Sequence, residues 1–449
     1  MQLRKLRPGE YVELSCKELV PEGLGLCHLE KEEFQDKYKP LTAFVWGALP
    51  GERLVARIAR VHSNHFFAIL ARKKELPSDW VGRRGYPEAD EDFALYNLSP
   101  LRQKPPCPNF TLCGGCKLLH LPYEETLNYK IKWLALQLAR EKISWDKIRV
   151  VPSPKIHHYR NHVQVHINAA GQKGFYAPFS YRVMPFPAKG CLLFDQELWE
   201  KNFPPQYEKV RCVRSRIDFL ERQVLTVPLY SAEDKKATFT YHVGFPQDTI
   251  TKVTLPNTAF FQINLAAIPL WLAHLASLLK KIRDEGELSV LELFSGFGFI
   301  TRMLAYLFPL RVVAIDILKK ELLGSVRIVN DKLGEDRMMH FLDNYYEVDL
   351  YDLEKLHNKI LPVLKRESFK VLLINPPRAG LGIESVHFFM QNVTFLGRGC
   401  VIYSSCNPAT LARDLAIFYD YGYQIEDMVL FDFFPFTSHS EVVVFLQKV

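Results

Sequence analysis

Leu288-Ser-Val-Leu-Glu-Leu-Phe-Ser-Gly-Phe-Gly-Phe-Ile-Thr301 holds three elements in succession. A buried strand runs into a glycine-rich turn at Gly296 and Gly298, and a helix starts behind it. Soon after, Arg311-Val-Val-Ala-Ile-Asp316 is a second apolar strand that ends in an acid. Such a turn lets backbone approach a nucleotide closely, and the acid at the next strand end is placed to hold two ribose hydroxyls. The third glycine of a dinucleotide fingerprint is missing, because position 301 is Thr, so a pyrophosphate loses its close helix approach. A lone Gly-x-Gly is a weak signal, and a turn without a ligand stays open as a reading.

From about residue 262 onward strands and helices alternate, the pattern of a mostly parallel, doubly wound sheet. Two more strand ends in this region carry polar residues. Lys370-Val-Leu-Leu-Ile-Asn375-Pro-Pro-Arg-Ala-Gly380 is an apolar strand whose two prolines fix Asn375 at the carboxyl edge. Gly399 to Ser405 is another, followed by Cys406-Asn-Pro and a helix over Ala409 to Phe418 with Pro408 in its first turn. In open α/β sheets ligands bind at this edge, and a thiol near helix-start amides can have a lowered pKa. A buried structural cysteine is the plain alternative.

The rest of the chain has other styles. Residues 1 to about 75 hold short alternating runs with a Leu-Pro-Gly turn, the pattern of a small β-barrel. A Pro- and Gly-rich stretch then contains a cysteine cluster. Tyr123 to Lys142 reads as an amphipathic helix with Leu127, Ile131, Leu134, Leu138 and Ala139 on one face. Strand-like segments dominate from about 150 to 260. With 449 residues, 48% hydrophobic and 24% charged, the chain reads as a soluble protein of several domains. The first residues lack an apolar leader and no long apolar stretch follows, which argues against secretion and membrane spans and for the cytoplasm. A net charge of +7 permits a polyanionic partner without demanding one.

Nine cysteines in so long a chain do not suggest a disulfide framework. Cys107, Cys113 and Cys116 are spaced for metal, with Gly114 and Gly115 letting the chain wrap tightly, and Cys191 is the candidate fourth ligand. Four thiolates suit zinc or a [4Fe–4S] cluster, and spacing alone does not separate them. Cys16, Cys27, Cys212 and Cys400 read as ordinary buried residues. Arg72-Lys-Lys74, Arg83-Arg84 and the Arg102, Lys104 pair are candidate phosphate contacts, or else solvated surface.

Taken together, Phe260-Phe-Gln-Ile-Asn264, Leu291-Glu-Leu-Phe-Ser-Gly-Phe-Gly298, Asn375-Pro-Pro-Arg-Ala-Gly380, Ser404-Ser-Cys-Asn-Pro-Ala-Thr-Leu-Ala-Arg-Asp414 and His439-Ser-Glu441 resemble the RNA uracil-C5 methyltransferases. The bacterial 23S rRNA branch is most similar, over nearly the whole chain. The resemblance implies a multidomain α/β protein: an OB-like TRAM barrel over 1–76 that binds RNA, a central α+β iron–sulfur domain over 77–260, and a class I, Rossmann-like methyltransferase domain over 261–449. The helix at 122–142 is expected to pack with the catalytic domain. Cys406 is implied as nucleophile and Glu441 as proton acceptor. Gln262, Phe294, Gly296, Asp316, Asp343 and Asn375 are the expected S-adenosyl-L-methionine contacts, with Phe260 and Asn375 on the substrate base. Cys107, Cys113, Cys116 and Cys191 are expected to hold a [4Fe–4S] cluster, zinc being the alternative. The expected partner is RNA, 23S rRNA in particular, and the expected state a monomer. The sequence departs from the family at Asn375, where Asp is usual, so cytosine or amine methylation, or a catalytically silent RNA-binding factor, remain as alternatives. An amine reaction would leave Cys406 without a task, and Arg378 stands where such enzymes carry a stacking aromatic residue.

Overall fold

The computed structural model describes residues 4–29, 38–39, 42–78, 87–197, 211–218, 221, 223–229, 231–282, 286–335 and 341–449. The Arg83-Arg84 pair lies outside them. Strands β1 (Tyr11–Leu19), β2 (Gly25–Leu29), β3 (Thr42–Trp46), β4 (Arg53–Val61) and β5 (Phe66–Leu70) close into a barrel in the order β1-β2-β3-β5-β4. Alternation drives it: Val12, Leu14 and Cys16 of β1 point inward between half-exposed neighbours. Closure leaves no free sheet edge.

Helix α1 (Tyr123–Arg140) buries Leu127, Leu134 and Leu138 of the expected face together with polar positions beside them. Thr126, Leu127, Lys130, Trp133, Leu134, Gln137 and Leu138 are buried, while Ala139 is exposed. The helix is wedged between two bodies, so its buried arc is wide enough to take in polar positions. Leu134 and Leu138 join the core of the C-terminal sheet. Trp133 packs with Leu19 and Leu49 of the barrel, and its indole N–H donates to the Leu19 carbonyl at 3.0 Å. Lys130 Nζ lies 2.6 Å from Asp432 Oδ1, both side chains fully buried, and also donates to the Phe434 carbonyl at 3.1 Å.

Strand β6 (Arg149–Val151) comes next, and then a five-stranded antiparallel sheet: β7 (His162–Ile167), β8 (Lys173–Tyr176), β9 (Val183–Pro185), β10 (Cys212–Asp218) and β11 (Gln223–Pro228), in the order β9-β8-β7-β10-β11. Strands β12 (Thr238–Val243) and β13 (Thr251–Pro256) pair with each other, and β13 pairs with β16 (Arg327–Asn330) far along the chain. Phe239, Tyr241, Val253 and Leu255 therefore share one core with Leu288 and Val290. The boundary expected at 260/261 falls inside this packing unit. Local alternation marks a strand without saying which strand it will meet.

The C-terminal body carries helix α2 (Ile268–Ile282), β14 (Leu288–Leu293), α3 (Phe299–Leu304), β15 (Leu310–Asp316), β17 (Tyr345–Glu347), β18 (Ser368–Ile374), α4 (Ile383–Asn392), β19 (Thr394–Ser405), α5 (Pro408–Asp420), β20 (Tyr423–Phe431) and β21 (Glu441–Lys448). The sheet order is β17-β15-β14-β18-β19-β21-β20-β6. β14, β15, β17, β18 and β19 run parallel, and β21 runs antiparallel between β19 and β20. Strand β6, from ahead of the central sheet, adds itself parallel to β20. No described helix is long and apolar enough to cross a membrane.

Replacing Lys130 with Met strands the buried Asp432 carboxylate, and a loss of about 3–5 kcal/mol is expected. Urea unfolding of the full chain should show it. Lys130→Met combined with Asp432→Leu should recover much of that loss, because neither charge then remains without its partner.

Candidate active site

The carboxyl edge of the parallel strands collects the polar motifs. At the end of β14, Phe294 and Gly296 hold left-handed conformations (φ 57° and 54°), and Gly298 follows at φ 74°. A Cβ on Gly298 would lie 2.3 Å from the Phe341 ring, so this glycine is needed for space as well as for backbone angle. Asp316, at the end of β15, is held by two amides, Gly296 N at 2.8 Å and Leu318 N at 2.7 Å. Burial raises its pKa despite them. Thr301, which interrupts the dinucleotide pattern, donates from its hydroxyl to the buried Glu292 Oε2 at 2.6 Å. Burial pushes that carboxyl up to about 8, so Glu292 carries a proton at neutral pH and supports the strand as a neutral group.

Asp343 sits exposed in a turn before β17. Since β17 runs parallel to β15 with Glu347 opposite Asp316, Asp343 lies toward the amino end of the strand, away from the edge where Asp316 stands. Asp349 comes after the carboxyl end of β17 and is half-buried, its Oδ1 accepting from Tyr351 N at 3.0 Å. Two residues further, the Tyr351 ring stands 5.7 Å from Phe294. The sequence offered both acids. What it lacked was the start of the strand, at Tyr345.

Asn375 is half-buried just beyond β18, and its backbone N–H reaches the Leu293 carbonyl at 3.3 Å. Gln262 is buried ahead of α2, with its carbonyl accepting from Asn161 Nδ2 at 2.9 Å, whereas Phe260 is 74% exposed. Asn264 donates from its amide to Ser153 Oγ at 2.9 Å and to the Phe433 carbonyl at 3.3 Å.

Cys406 and Glu441 meet through register. The last pairs of β19 and β21 set Ser404 opposite Val443 and Ser405 opposite Val442, so the next step puts Cys406 against Glu441. Burial pushes the Cys406 thiol up to about 11, the Glu441 charge adds to the rise, and Arg378 opposes it. Glu441 is 3% exposed and accepts from Ser404 Oγ at 2.6 Å; burial pushes its carboxyl up to about 7. Arg378 spans the His439 ring, with one guanidinium nitrogen 3.4 Å from Nδ1 and 3.2 Å from Nε2. Burial and then Arg378 push that imidazole down to about 4, so it is neutral.

The residues after Cys406 act as a clamp. Asn407 caps α5 by accepting from Ala409 N, and its amide donates to the Arg378 carbonyl at 2.8 Å. Thr410 donates to the same carbonyl at 3.1 Å and Arg413 to the Ala379 carbonyl at 2.9 Å. The buried Asp414 accepts from Leu381 N at 2.7 Å and Tyr403 OH at 2.6 Å. A Cβ on Gly380 would stand 2.6 Å from Asp414 Oδ2, so the clamp closes only on glycine. The motif thus fixes the Asn375 loop against the cysteine.

Cys107, Cys113, Cys116 and Cys191 carry no disulfide. Cys107, Cys113 and Cys191 each raise the pKa of Cys116, and Cys107 also raises those of Cys113 and Cys191, so the thiols gather in one place. Burial pushes Cys113 up to about 12 and Cys191 up to about 11. Arg160 works against the rise at Cys116 and Cys191, and Arg72 at Cys107. A Cβ on Gly114 would lie 2.9 Å from the Tyr176 carbonyl, so the loop packs tightly there. No three His, Cys, Asp or Glu side chains among the described residues stand in metal-holding array. The donor set and the flanking cations nonetheless suit a negatively charged thiolate centre.

Two of the basic candidates have internal work. Arg72 donates to the Pro108 and Phe110 carbonyls, both at 2.6 Å, and so braces the cysteine loop. Arg102 is buried on Glu52, donating at 2.7 Å to Oε2 and at 2.6 Å to the Gly47 carbonyl. Lys104 is exposed beside Glu91. Cys16, Cys27 and Cys400 are buried, whereas Cys212 is only half so.

Strand order, glycine turn and edge acids define a class I methyltransferase fold. Residues 247–449 match the model of the tRNA (Uracil-5-)-methyltransferase family. It is similar to an uncharacterized RNA methyltransferase of Leptospira interrogans, at 26% identity over 99% of this chain and 94% of that one. It is also similar to the 23S rRNA (uracil(1939)-C(5))-methyltransferase RlmD of Pseudomonas fluorescens, at 24% identity over 98% and 92%. Among solved structures it shares the fold of the tRNA (uracil-54, C5)-methyltransferase of Pyrococcus abyssi in complex with S-adenosyl-L-homocysteine. The TM-score is 0.60 at 20% identity, covering 96% of this chain and 99% of that one.

Asp414→Ala should cost on the order of 2–4 kcal/mol, since the buried Tyr403 hydroxyl, the Leu381 amide and Arg413 all lose their acceptor. Urea titration should show this loss, with faster proteolysis of the 375–381 loop alongside it.

Proposed function

We propose that this protein transfers a methyl group from S-adenosyl-L-methionine to C5 of a uridine in RNA, with 23S rRNA the substrate the relatives favour. The observation that carries this is the strand register setting Cys406 beside Glu441 at the sheet edge. The cofactor supplies an electrophilic methyl sulfonium. Gly296 and Gly298 admit its backbone-side contacts, Asp316 faces the ribose, and Phe294 with Asp349 borders the adenine side; Asp349 takes the place expected of Asp343. Gln262 and Asn375 line the reacting end, and Phe260 offers a stacking face to an extruded base.

Cys406 Sγ, having lost its proton to solvent, bonds to C6 of the ring; C5 gains the electron pair and takes the methyl group from the sulfonium, and S-adenosyl-L-homocysteine leaves with the pair of the broken S–CH3 bond. Glu441 then accepts the C5 proton, and the returning pair expels Sγ from C6. The arrangement is one of poised rest. The thiol keeps its proton in the free protein, and burial shifts the carboxyl toward its protonated form. Arg378 supplies the positive charge that favours the thiolate. Asn375 can accept from uracil N3–H through its amide oxygen, so the departure from Asp does not remove uracil recognition. Cys107, Cys113, Cys116 and Cys191 are assigned to a [4Fe–4S] cluster that braces the central sheet against the barrel. A single zinc ion is the competing occupant.

Glu441→Gln should methylate C5 but fail to release Sγ, so a covalent protein–RNA adduct should accumulate on denaturing gels. Cys406→Ala should form neither adduct nor product. Absence of product from the parent on undermethylated rRNA, with RNA still bound, would turn the reading toward a silent binding factor. Methyl on cytosine or on an amine would overturn the choice of uracil. In the parent, single-turnover rate should rise as pH passes through about 7, because a raised carboxyl must lose its proton before it can accept one. Anaerobically purified protein should absorb near 400 nm, on the order of the usual thiolate-to-iron transitions, and lose that band in Cys191→Ser. Stoichiometric zinc without the band would replace the cluster assignment.

A further inference from the structure

Tyr181 is 83% exposed and Phe260 74%, the two most solvent-open aromatic rings among the described residues. One strip of the central sheet leads from the first toward the second. Strand β7 is fastened next to Phe260, since Asn161 N–H donates to the Ile263 carbonyl at 3.0 Å and Asn161 Nδ2 to the Gln262 carbonyl at 2.9 Å. Along β7, Val163, Val165 and Ile167 fill the core beside the cysteine cluster. His162, Gln164 and His166 alternate onto the opposite face, with Gln164 exposed. From His162 to His166 is about 13 Å of strand. The His166 ring then stacks on Tyr176 with centroids 3.8 Å apart, and Tyr176 meets Tyr181 edge-on at 5.6 Å.

Charge marks the same segment. Between Asp146 and Asp195 the chain contains no acidic side chain and seven lysines and arginines. Tyr181 is open, His166 and Tyr176 are half-buried, and the segment that carries all three has no acid of its own; stacking faces for bases with little repulsion for phosphates are what unpaired nucleotides need.

We propose that this strip is a stacking track for the single-stranded RNA flanking the target base, with His166, Tyr176 and Tyr181 taking successive bases beyond Phe260. The inference deepens the methyltransferase reading and rests on it for the position of the target. It assigns RNA selection to a face of the central sheet that none of the family motifs touches.

The test uses the full chain and two RNAs. One is a fluorescein-labelled oligouridylate of about a dozen nucleotides, within the span such a surface covers. The other is a uridine trinucleotide too short to pass Phe260. Tyr176→Ala with Tyr181→Ala should weaken binding of the longer RNA at least fivefold, as loss of base–aromatic stacking does. It should leave the ratio for the trinucleotide near one, and Tyr176→Phe with Tyr181→Phe should bind both like the parent. S-adenosyl-L-homocysteine affinity, measured by calorimetry, reports that the double-alanine variant is folded. Unchanged affinity for the longer RNA in a folded double-alanine variant overturns the track. If the parent methylates no uridine yet the double-alanine variant loses RNA, the track stands and the reaction assignment falls.

Discussion

The buried contact between Lys130 and Asp432 is the constraint on which the rest of the site depends. Neither side chain reaches water, so the pair holds only while every neighbouring group stays in place. Tyr123 OH donates to Asp432 Oδ2 at 2.8 Å and accepts from Ser153 N at 2.8 Å, while Ser153 Oγ accepts from Asn264. Helix α1, the segment after β6, the Phe260–Asn264 motif and the 432–440 loop are thereby joined in one network. That loop also carries Phe436, which sits in the barrel core, accepts from Leu118 N at 3.0 Å and stacks on His157. It delivers His439 and Glu441 to the edge. Glu441, the proton acceptor of the proposed reaction, is thus positioned by groups drawn from the barrel, helix α1 and the C-terminal sheet.

At the edge itself, two kinds of position are separable. Cys406, Glu441 and Arg378 face the reacting atoms in the proposed reaction. Asn407, Thr410, Arg413 and Asp414 face the neighbouring loop, and their work is to keep Asn375 at a fixed distance from the thiol. A motif eleven residues long can therefore be specific in sequence although, in the proposed reaction, only one of its side chains does chemistry. The other side chains hold a geometry that small displacements would spoil.

Much of this was legible in the chain because it depends on local pattern. Alternation gave the barrel strands, and apolar runs ending in Gly, Asn-Pro-Pro or Cys-Asn-Pro gave the parallel strands and their carboxyl ends. What was not legible depends on partners distant in sequence. Lys130 lies on an arc of α1 that hydrophobic spacing assigns to solvent, because its partner is Asp432. Strand β6 is three residues long and gains meaning only from β20. Strands β12 and β13 look like the strands of the central sheet yet pack with the C-terminal body. Asp343 and Asp349 differ only by which end of β17 they occupy, a fact set by pairing with β15. Arg72 and Arg102 resemble phosphate ligands until the carbonyls and the carboxylate that occupy them are seen.

Strand β6 also bears on how the chain comes to be assembled. The last sheet strands to leave the ribosome, β20 and β21, need β6 and helix α1, made far earlier, to cover one edge and neutralise Asp432. The early segments must therefore wait, exposed, until β20 and β21 have been made. The matched family segment, cut out alone, would keep the whole reactive edge but lose its outer strand and its buried counter-charge. The three bodies form one cooperative object, and dissecting them by their boundaries in sequence would break it.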